Sequence, residues 1–213
     1  MRTREPFWLL APDFWLLVSR RFVAGYQGRS PWLVLYCTGL RFGEALRLRM
    51  RDVDTGSGIL FVEQFKGRAR WVPFHRSLSR ELAKYLKARR SFASALPDDR
   101  FFVGINRRTL PVTSAWYALR NLFRKAGMKP HPGRVGPRPY DFRHCFAIHR
   151  LSRWYRQGVE LHARLPWLSA YMGQEDIMGT QTYLLATPEL LGLAGDRFRR
   201  RYARRRVRRN PRS

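Results

Sequence analysis

Hydrophobic positions recur with two different periods along the chain, and the changes of period divide it. Residues 31–50, PWLVLYCTGLRFGEALRLRM, hold an apolar run and then Leu40, Ala45, Leu46 and Leu48, which predicts a buried helix, a turn at Thr38-Gly39 and a second helix beginning near Arg41. The period then shortens. ILFVEQF and RARWVPF are rich in β-branched and aromatic residues and flank Lys66-Gly67, a natural hairpin tip, so a small antiparallel sheet is expected over residues 59–74. From Leu78 the helical period returns, with Leu82, Tyr85 and Leu86 on one side of SLSRELAKYLKARR. LPDDRFFVGINRRTLP reads as a short extended piece and loop, and VTSAWYALRNLFRKAG as a helix closed by Gly127. Four prolines and two glycines in MKPHPGRVGPRP mark an ordered loop or hinge. Helices are then expected from Pro139 to Arg156 and around 161–172 and 180–195, which makes the fold class mainly α with one small antiparallel β-sheet.

Charge narrows the function. The 213 residues include 42 Lys+Arg against 15 Asp+Glu, a formal net charge of +27 that points to a polyanionic partner. Nucleic acid is favoured over a membrane because the basic residues run through the whole chain rather than along one amphipathic helix. The last 17 residues, RFRRRYARRRVRRNPRS, hold ten arginines and read equally as a solvated tail and as a nucleic-acid-binding arm. Cys37 and Cys145 show no paired spacing, so neither a disulfide nor a zinc site is expected, and a reducing, cytoplasmic setting fits. PFWLLAPDFWLLV near the start is interrupted by Pro12 and Asp13 and too short to span a bilayer; it reads as a packing segment.

Candidate chemistry gathers at three places. Arg41 follows a tight turn at the start of a helix with Glu44 one turn on, Arg143 lies in the first turn after Pro139, and YMGQEDIMGTQTYL leads to Tyr183. Arginine at a helix start opposes the helix dipole, so two such cases point to an electrostatic purpose. Tyr140 is one helical turn before Arg143 and is expected on the same face. His144, Cys145 and His149 lack a standard zinc spacing, and His144 reads as a buried hydrogen-bonding residue that positions its helix.

In this order the three places resemble the catalytic domain of the tyrosine recombinase, or phage integrase, family. TGLRFGEALRL is similar to the family's first arginine box, with Arg41 as its arginine and Glu44 as its acidic support. YDFRH resembles the His-x-x-Arg box, with Arg143 and His144 in place and Tyr140 where the family has histidine. MGQEDIMGTQTYL resembles the Leu-Gly-His box and the nucleophile, with Gly173, Gln174 at the histidine position, and Tyr183. Counted back from RWVP, the family's hairpin lysine falls on Phe65, and Lys66 is one residue late, a shift that turn geometry can absorb.

The resemblance covers roughly residues 30–190 and implies a DNA breaking-rejoining fold. It implies strand cleavage through a 3′-phosphotyrosyl link, catalytic positions at Arg41, Lys66, Tyr140, Arg143, Gln174 and Tyr183 with Glu44 and His144 supporting, and double-stranded DNA as substrate. It also implies a homo-oligomer on DNA, service to a mobile element, and no metal, nucleotide cofactor or small-molecule substrate. The expected layout is a short N-terminal segment over 1–30 without the family's helical N-terminal domain, a catalytic domain over 31–195 and an Arg-rich tail over 196–213. The main alternative is a noncatalytic DNA-binding relative that keeps the basic surface. A ribosomal-type RNA-binding protein would account for the charge but not for the ordered boxes, and the box wording is closer to integrases than to type IB topoisomerases, which share the chemistry.

Overall fold

The computed structural model describes residues 26–63, 69–104, 109–125 and 138–174. Helix α1 (Tyr26–Thr38) ends at Gly39, whose φ of 65° is left-handed. A Cβ at that position would lie 2.5 Å from Cδ1 of Phe146, so both the backbone and the space demand glycine. Arg41 then caps helix α2 (Phe42–Arg47), with its backbone N–H donating to the Glu44 carboxylate at 2.8 Å. An acid in the third helical position holding the N-cap amide stabilises a start that the arginine itself opposes. The device recurs: Asp52 accepts from the Arg49 amide at 2.7 Å where the short 3-10 turn Met50–Asp52 begins, and Asp141 accepts from the Arg138 amide at 2.8 Å.

Strands β1 (Val53–Asp54), β2 (Ile59–Val62) and β3 (Arg70–Pro73) form an antiparallel sheet in the order β1-β2-β3. Alternation places Leu60, Val62 and Val72 in the core, while Phe61 and Trp71, paired across the strands, meet on the other face at 4.8 Å between rings. The hairpin of β2 and β3 lies where the sequence predicts it. Strand β1 extends it: two residues carry no readable period, and they pair because the Asp54 carboxylate accepts hydrogen bonds from the Gly56 and Ser57 amides and folds the chain back.

Helix α3 (Arg76–Arg89) begins two residues before the expected Leu78, because Nδ1 of His75 accepts from the Ser77 amide and caps it. Leu78, Leu82 and Tyr85 point into the core, and the Tyr85 hydroxyl donates to the Phe101 carbonyl at 2.9 Å. Helices α4 (Val112–Lys125), α5 (Pro139–Arg156) and α6 (Leu161–Met172) complete the described residues. Proline as the first residue of α5 suits a position whose N–H has no helical partner.

Four aromatic rings run in series through the core. Phe42 stacks on Trp32 at 5.9 Å, Trp32 on Phe142 at 6.4 Å, and Phe142 on Phe123 at 6.2 Å, tying α2, α1, α5 and α4 together. Phe42 follows Arg41 and Phe142 precedes Arg143, so the stack fixes the backbone from which both arginine side chains start. A second cluster, with Phe146, Leu151, Leu165, Leu168 and Met172, joins α5 to α6. The hairpin tip with Lys66, Gly127, the Pro/Gly-rich loop before residue 138, the apolar stretch 6–18, the expected helix 180–195 with Tyr183 and the arginine tail lie outside the described residues.

Candidate functional site

The turn after α1, the start of α5 and the end of α6 interlock through two hydrogen bonds between residues distant in sequence. Arg143 Nη1 donates to the carbonyl of Gly39 at 2.9 Å, and Arg41 Nη2 donates to the carbonyl of Gly173 at 2.9 Å. Each guanidinium, with its rigid fork of donors, is thereby oriented by a main-chain oxygen rather than left to a flexible side chain. Gly173 ends α6 with a left-handed φ of 66°, which presents its carbonyl to Arg41 and carries Gln174 into the same corner.

Glu44 is the hub. Arg41 Nη1 reaches its carboxylate at 3.0 Å, and Arg70 on β3 reaches both oxygens, at 3.2 and 3.0 Å, while donating Nε to the Tyr171 carbonyl at 2.9 Å. Burial alone would raise the Glu44 carboxyl, but the hydrogen bond and charge of Arg70, joined by the bonds from Arg41, outweigh it and hold Glu44 below its ordinary value. The carboxylate is therefore ionised at neutral pH and shared between two cations. A Cβ on Gly173 would collide with the Arg70 guanidinium, so Arg70 also shapes the turn at the end of α6. Nothing in the sequence singles out Arg70. Its position at the edge of an alternating run fits a solvent-facing charge equally well, and only the fold places it on Glu44.

Two expectations on α5 need correction. Arg143 is the fifth residue of the helix, one beyond the first turn, so its orientation owes more to the Gly39 carbonyl than to the helix end. Tyr140 does not share its environment: Tyr140 is 49 % exposed and Arg143 1 %. Residues three apart differ by about 60° around a helix, enough here to separate surface from interior. The neighbour of Tyr140 is instead His144, one residue further on, with the two rings edge to face at 4.5 Å. His144 is half-buried, and burial lowers its pKa, so the neutral imidazole prevails at neutral pH.

His149 sits with Nδ1 3.3 Å from the Tyr36 hydroxyl, and burial pushes the Cys145 thiol up to about 12. Among the described residues no group of three His, Cys, Asp or Glu side chains could hold a metal ion, and no helix is long and apolar enough to cross a membrane. Tyr171 donates its hydroxyl to the Pro73 carbonyl at 2.9 Å and stacks on Phe146 at 5.4 Å. Burial raises its phenol far above the ordinary value.

Two guanidinium groups are thus anchored where three helices meet, one of them sharing a buried carboxylate with a strand arginine, on a mainly helical frame. The chain belongs to the phage integrase family, whose match extends over residues 20–189. Among its relatives is a Sinorhizobium fredii protein, y4rB, classed by name with integrases and recombinases; it is 35% identical over 181 residues, covering 81% of this chain and 57% of the relative. Tyrosine recombinase XerA of Thermococcus kodakarensis is 32% identical over 169 residues, covering 78% of this chain and 53% of that protein. The chain thus spans somewhat more than half the length of these curated relatives. In fold it is similar to the crystal structure of XerA recombinase, with a TM-score of 0.70 and 24% identity over 89% of this chain and 62% of the other. The Tn1549 transposon integrase bound to transposon right end DNA matches with a TM-score of 0.64 and 17% identity over 82% and 60%. The architecture, helices around one small antiparallel sheet, is that of tyrosine recombinases.

Proposed function

We propose that the chain is the catalytic part of a site-specific DNA recombinase that serves a mobile element, cutting and rejoining strands through Tyr183. The observation that carries this reading is the pair of bonds joining Arg143 to Gly39 and Arg41 to Gly173, which ties the two box arginines to each other's segments and to the glycine that ends α6. In the proposed reaction the Tyr183 phenolate attacks the scissile phosphorus. The bond from phosphorus to the 5′-oxygen breaks, that oxygen takes a proton from Lys66, and a 3′-phosphotyrosine remains for a second 5′-hydroxyl to attack. Arg41 and Arg143 hold the nonbridging oxygens, on which negative charge grows in the transition state.

Tyr140 and Gln174 donate hydrogen bonds to the phosphate in place of imidazoles, which preserves binding better than proton transfer. Arg143 is 1 % exposed, so in this reading DNA entry uncovers a guanidinium whose direction the Gly39 carbonyl has already set. Tyr171 is a poor alternative nucleophile, since its hydroxyl is engaged with Pro73 and burial opposes its ionisation. The substrate in this reading is double-stranded DNA, bound by a homo-oligomer in the cytoplasm, with residues 31–195 as the catalytic domain and 196–213 as a basic arm; no metal, nucleotide or small-molecule substrate takes part.

The test is a nicked suicide duplex bearing the element's own ends, whose short cleaved fragment diffuses away. A covalent protein–DNA adduct should form without added nucleotide, and peptide mapping should place it on Tyr183. Tyr183→Phe should abolish the adduct while leaving DNA binding intact. Absence of any adduct on a cognate site, with DNA binding retained, would establish the noncatalytic alternative.

A further inference from the structure

A cleft of about 720 Å³ is lined by Phe42, the residue after Arg41, and by Trp116, Tyr117, Arg138, Pro139 and Tyr140. Its size lies in the ~300–1,000 Å³ range of sites that take small ligands or parts of larger ones. Three elements contribute to it: α2 through the residue that follows Arg41, α5 through the residues that lead to Arg143, and α4 through Trp116 and Tyr117. The aromatic lining reaches solvent, with Tyr117 60 %, Tyr140 49 % and Trp116 36 % exposed. Neighbouring helical residues point about 100° apart, yet both Trp116 and Tyr117 face this cavity, their rings edge to face at 5.5 Å. Arg120 lies over the Trp116 ring at 5.4 Å and braces it. The second turn of α4 therefore presents a fixed aromatic wall rather than two loose side chains.

Phe42 belongs to the ring stack of the core, which makes the floor rigid. The rim carries Arg138, and Arg41 and Arg143 follow within a few residues along the lining segments. An aromatic, apolar interior with a cationic rim complements a nucleotide: a planar ring stacks inside while its phosphate stays at the arginines. An apolar protein segment would satisfy the interior and leave the rim without an anionic partner.

We infer that this cavity takes one nucleobase, unstacked from the DNA strand next to the phosphate held by Arg41 and Arg143. The inference rests on the proposed reading of those arginines as phosphate ligands, and it adds a base-binding site to them. Extruding a base costs least where pairing is already broken, so the site favours DNA with an unpaired nucleotide. Base-to-aromatic stacking is sequence-tolerant, and the preference should hold for any of the four bases.

The experiment measures binding of the full chain to three 20-base-pair duplexes: fully paired, with one unpaired thymidine, and with one unpaired abasic nucleotide. The last two share backbone and bend and differ only in the base. Wild-type protein should bind the thymidine-bearing duplex about 10-fold more tightly than the abasic one, the ratio expected of a single stacked base. Trp116→Ala and Tyr117→Ala should bring that ratio close to one while leaving affinity for the abasic and fully paired duplexes unchanged. Tyr117 is the more exposed, so Tyr117→Ala carries the test if Trp116→Ala lowers thermal stability. Equal affinity of the wild type for the two interrupted duplexes would overturn the inference, as would variants that lose affinity for all three alike. None of these outcomes depends on strand cleavage, so a missing adduct at Tyr183 would sink the recombinase reading and leave this result standing. Arg41→Ala separates the remaining case: it should weaken binding to all three duplexes, and failure to do so would fault the phosphate site rather than the cavity.

Discussion

Removing Arg70 should loosen the whole site, although Arg70 touches no reacting atom. Arg70→Met keeps most of the side chain's volume and deletes two charge-assisted hydrogen bonds to Glu44 and one to the Tyr171 carbonyl. The side chains of Arg70 and Glu44 are 9% and 5% exposed, so the pair is buried, and breaking such a pair by removing one partner costs ~3–5 kcal/mol. Glu44 keeps its bonds to the Arg41 amide and guanidinium, which places the expected loss at the low end, about 3 kcal/mol. Glu44→Gln should cost a similar amount, because it leaves two arginines facing a neutral amide. The double variant should be less destabilised than the sum by about 2 kcal/mol, since either single change already dissolves the same contact. Urea unfolding followed by circular dichroism at pH 7 gives the three values. The pH dependence supplies a sign. The folded-state pKa of Glu44 is lowered, so its contribution is present above the unfolded-state value and is lost as pH falls through the lower folded-state value. The gap between wild type and Glu44→Gln should therefore close on acidification below the ordinary carboxylate range. Additivity within ~0.5 kcal/mol, or a gap that widens in acid, would refute the shared-carboxylate argument.

Gly173→Ala should destabilise the chain by ~2 kcal/mol or more, since the left-handed backbone alone costs a residue with a Cβ ~1–2 kcal/mol and the Arg70 guanidinium must also move; thermal melting of the variant checks it. In the recombinase reading the same variant should retain DNA binding and lose adduct formation, because Arg41 loses its carbonyl anchor. Affinity for duplex DNA should fall steeply between 50 and 200 mM salt, ~10³-fold or more if six phosphates are contacted, and deleting residues 197–213 should lower the slope of log affinity on log salt equally for all sequences.

How much of this was legible in the sequence follows from what each signal depends on. Helix α5 was readable to the residue because Pro139 marks its start and an apolar stripe runs unbroken to Arg156. The bend between α1 and α2 was readable because Gly39 marks it. Strand β1 was not, since a two-residue strand has no period and exists only through its partner and the Asp54 turn. Arg41, Glu44 and Arg143 could be singled out by motif, and their carbonyl partners could not, because Gly39 and Gly173 contribute backbone oxygens, which every residue has. Tyr140 beside His144 follows from four-residue spacing, whereas the three-residue spacing to Arg143 leaves the two side chains in different surroundings.

The site's stiffness comes from its dry side. An electrostatic site works to the degree that its dipoles and charges are already aimed when the substrate arrives, because reorienting them during the reaction forfeits what they would contribute. Here the aiming is done by groups that carry no charge of their own. Phe42 and Phe142 are locked through Trp32, and each is bonded in sequence to one of the two arginines. Main-chain oxygens of Gly39 and Gly173, each at a left-handed glycine, then set the two guanidinium planes. Glu44 adds the ionic element, its one negative charge shared between Arg41 and Arg70, so this cluster of three keeps a net positive charge. In the recombinase reading, Tyr140 and Gln174 stand where the family has imidazoles, and neither takes part in this frame. The frame therefore constrains binding geometry more tightly than proton transfer, and restoring histidine at either position should change rate without changing where DNA sits.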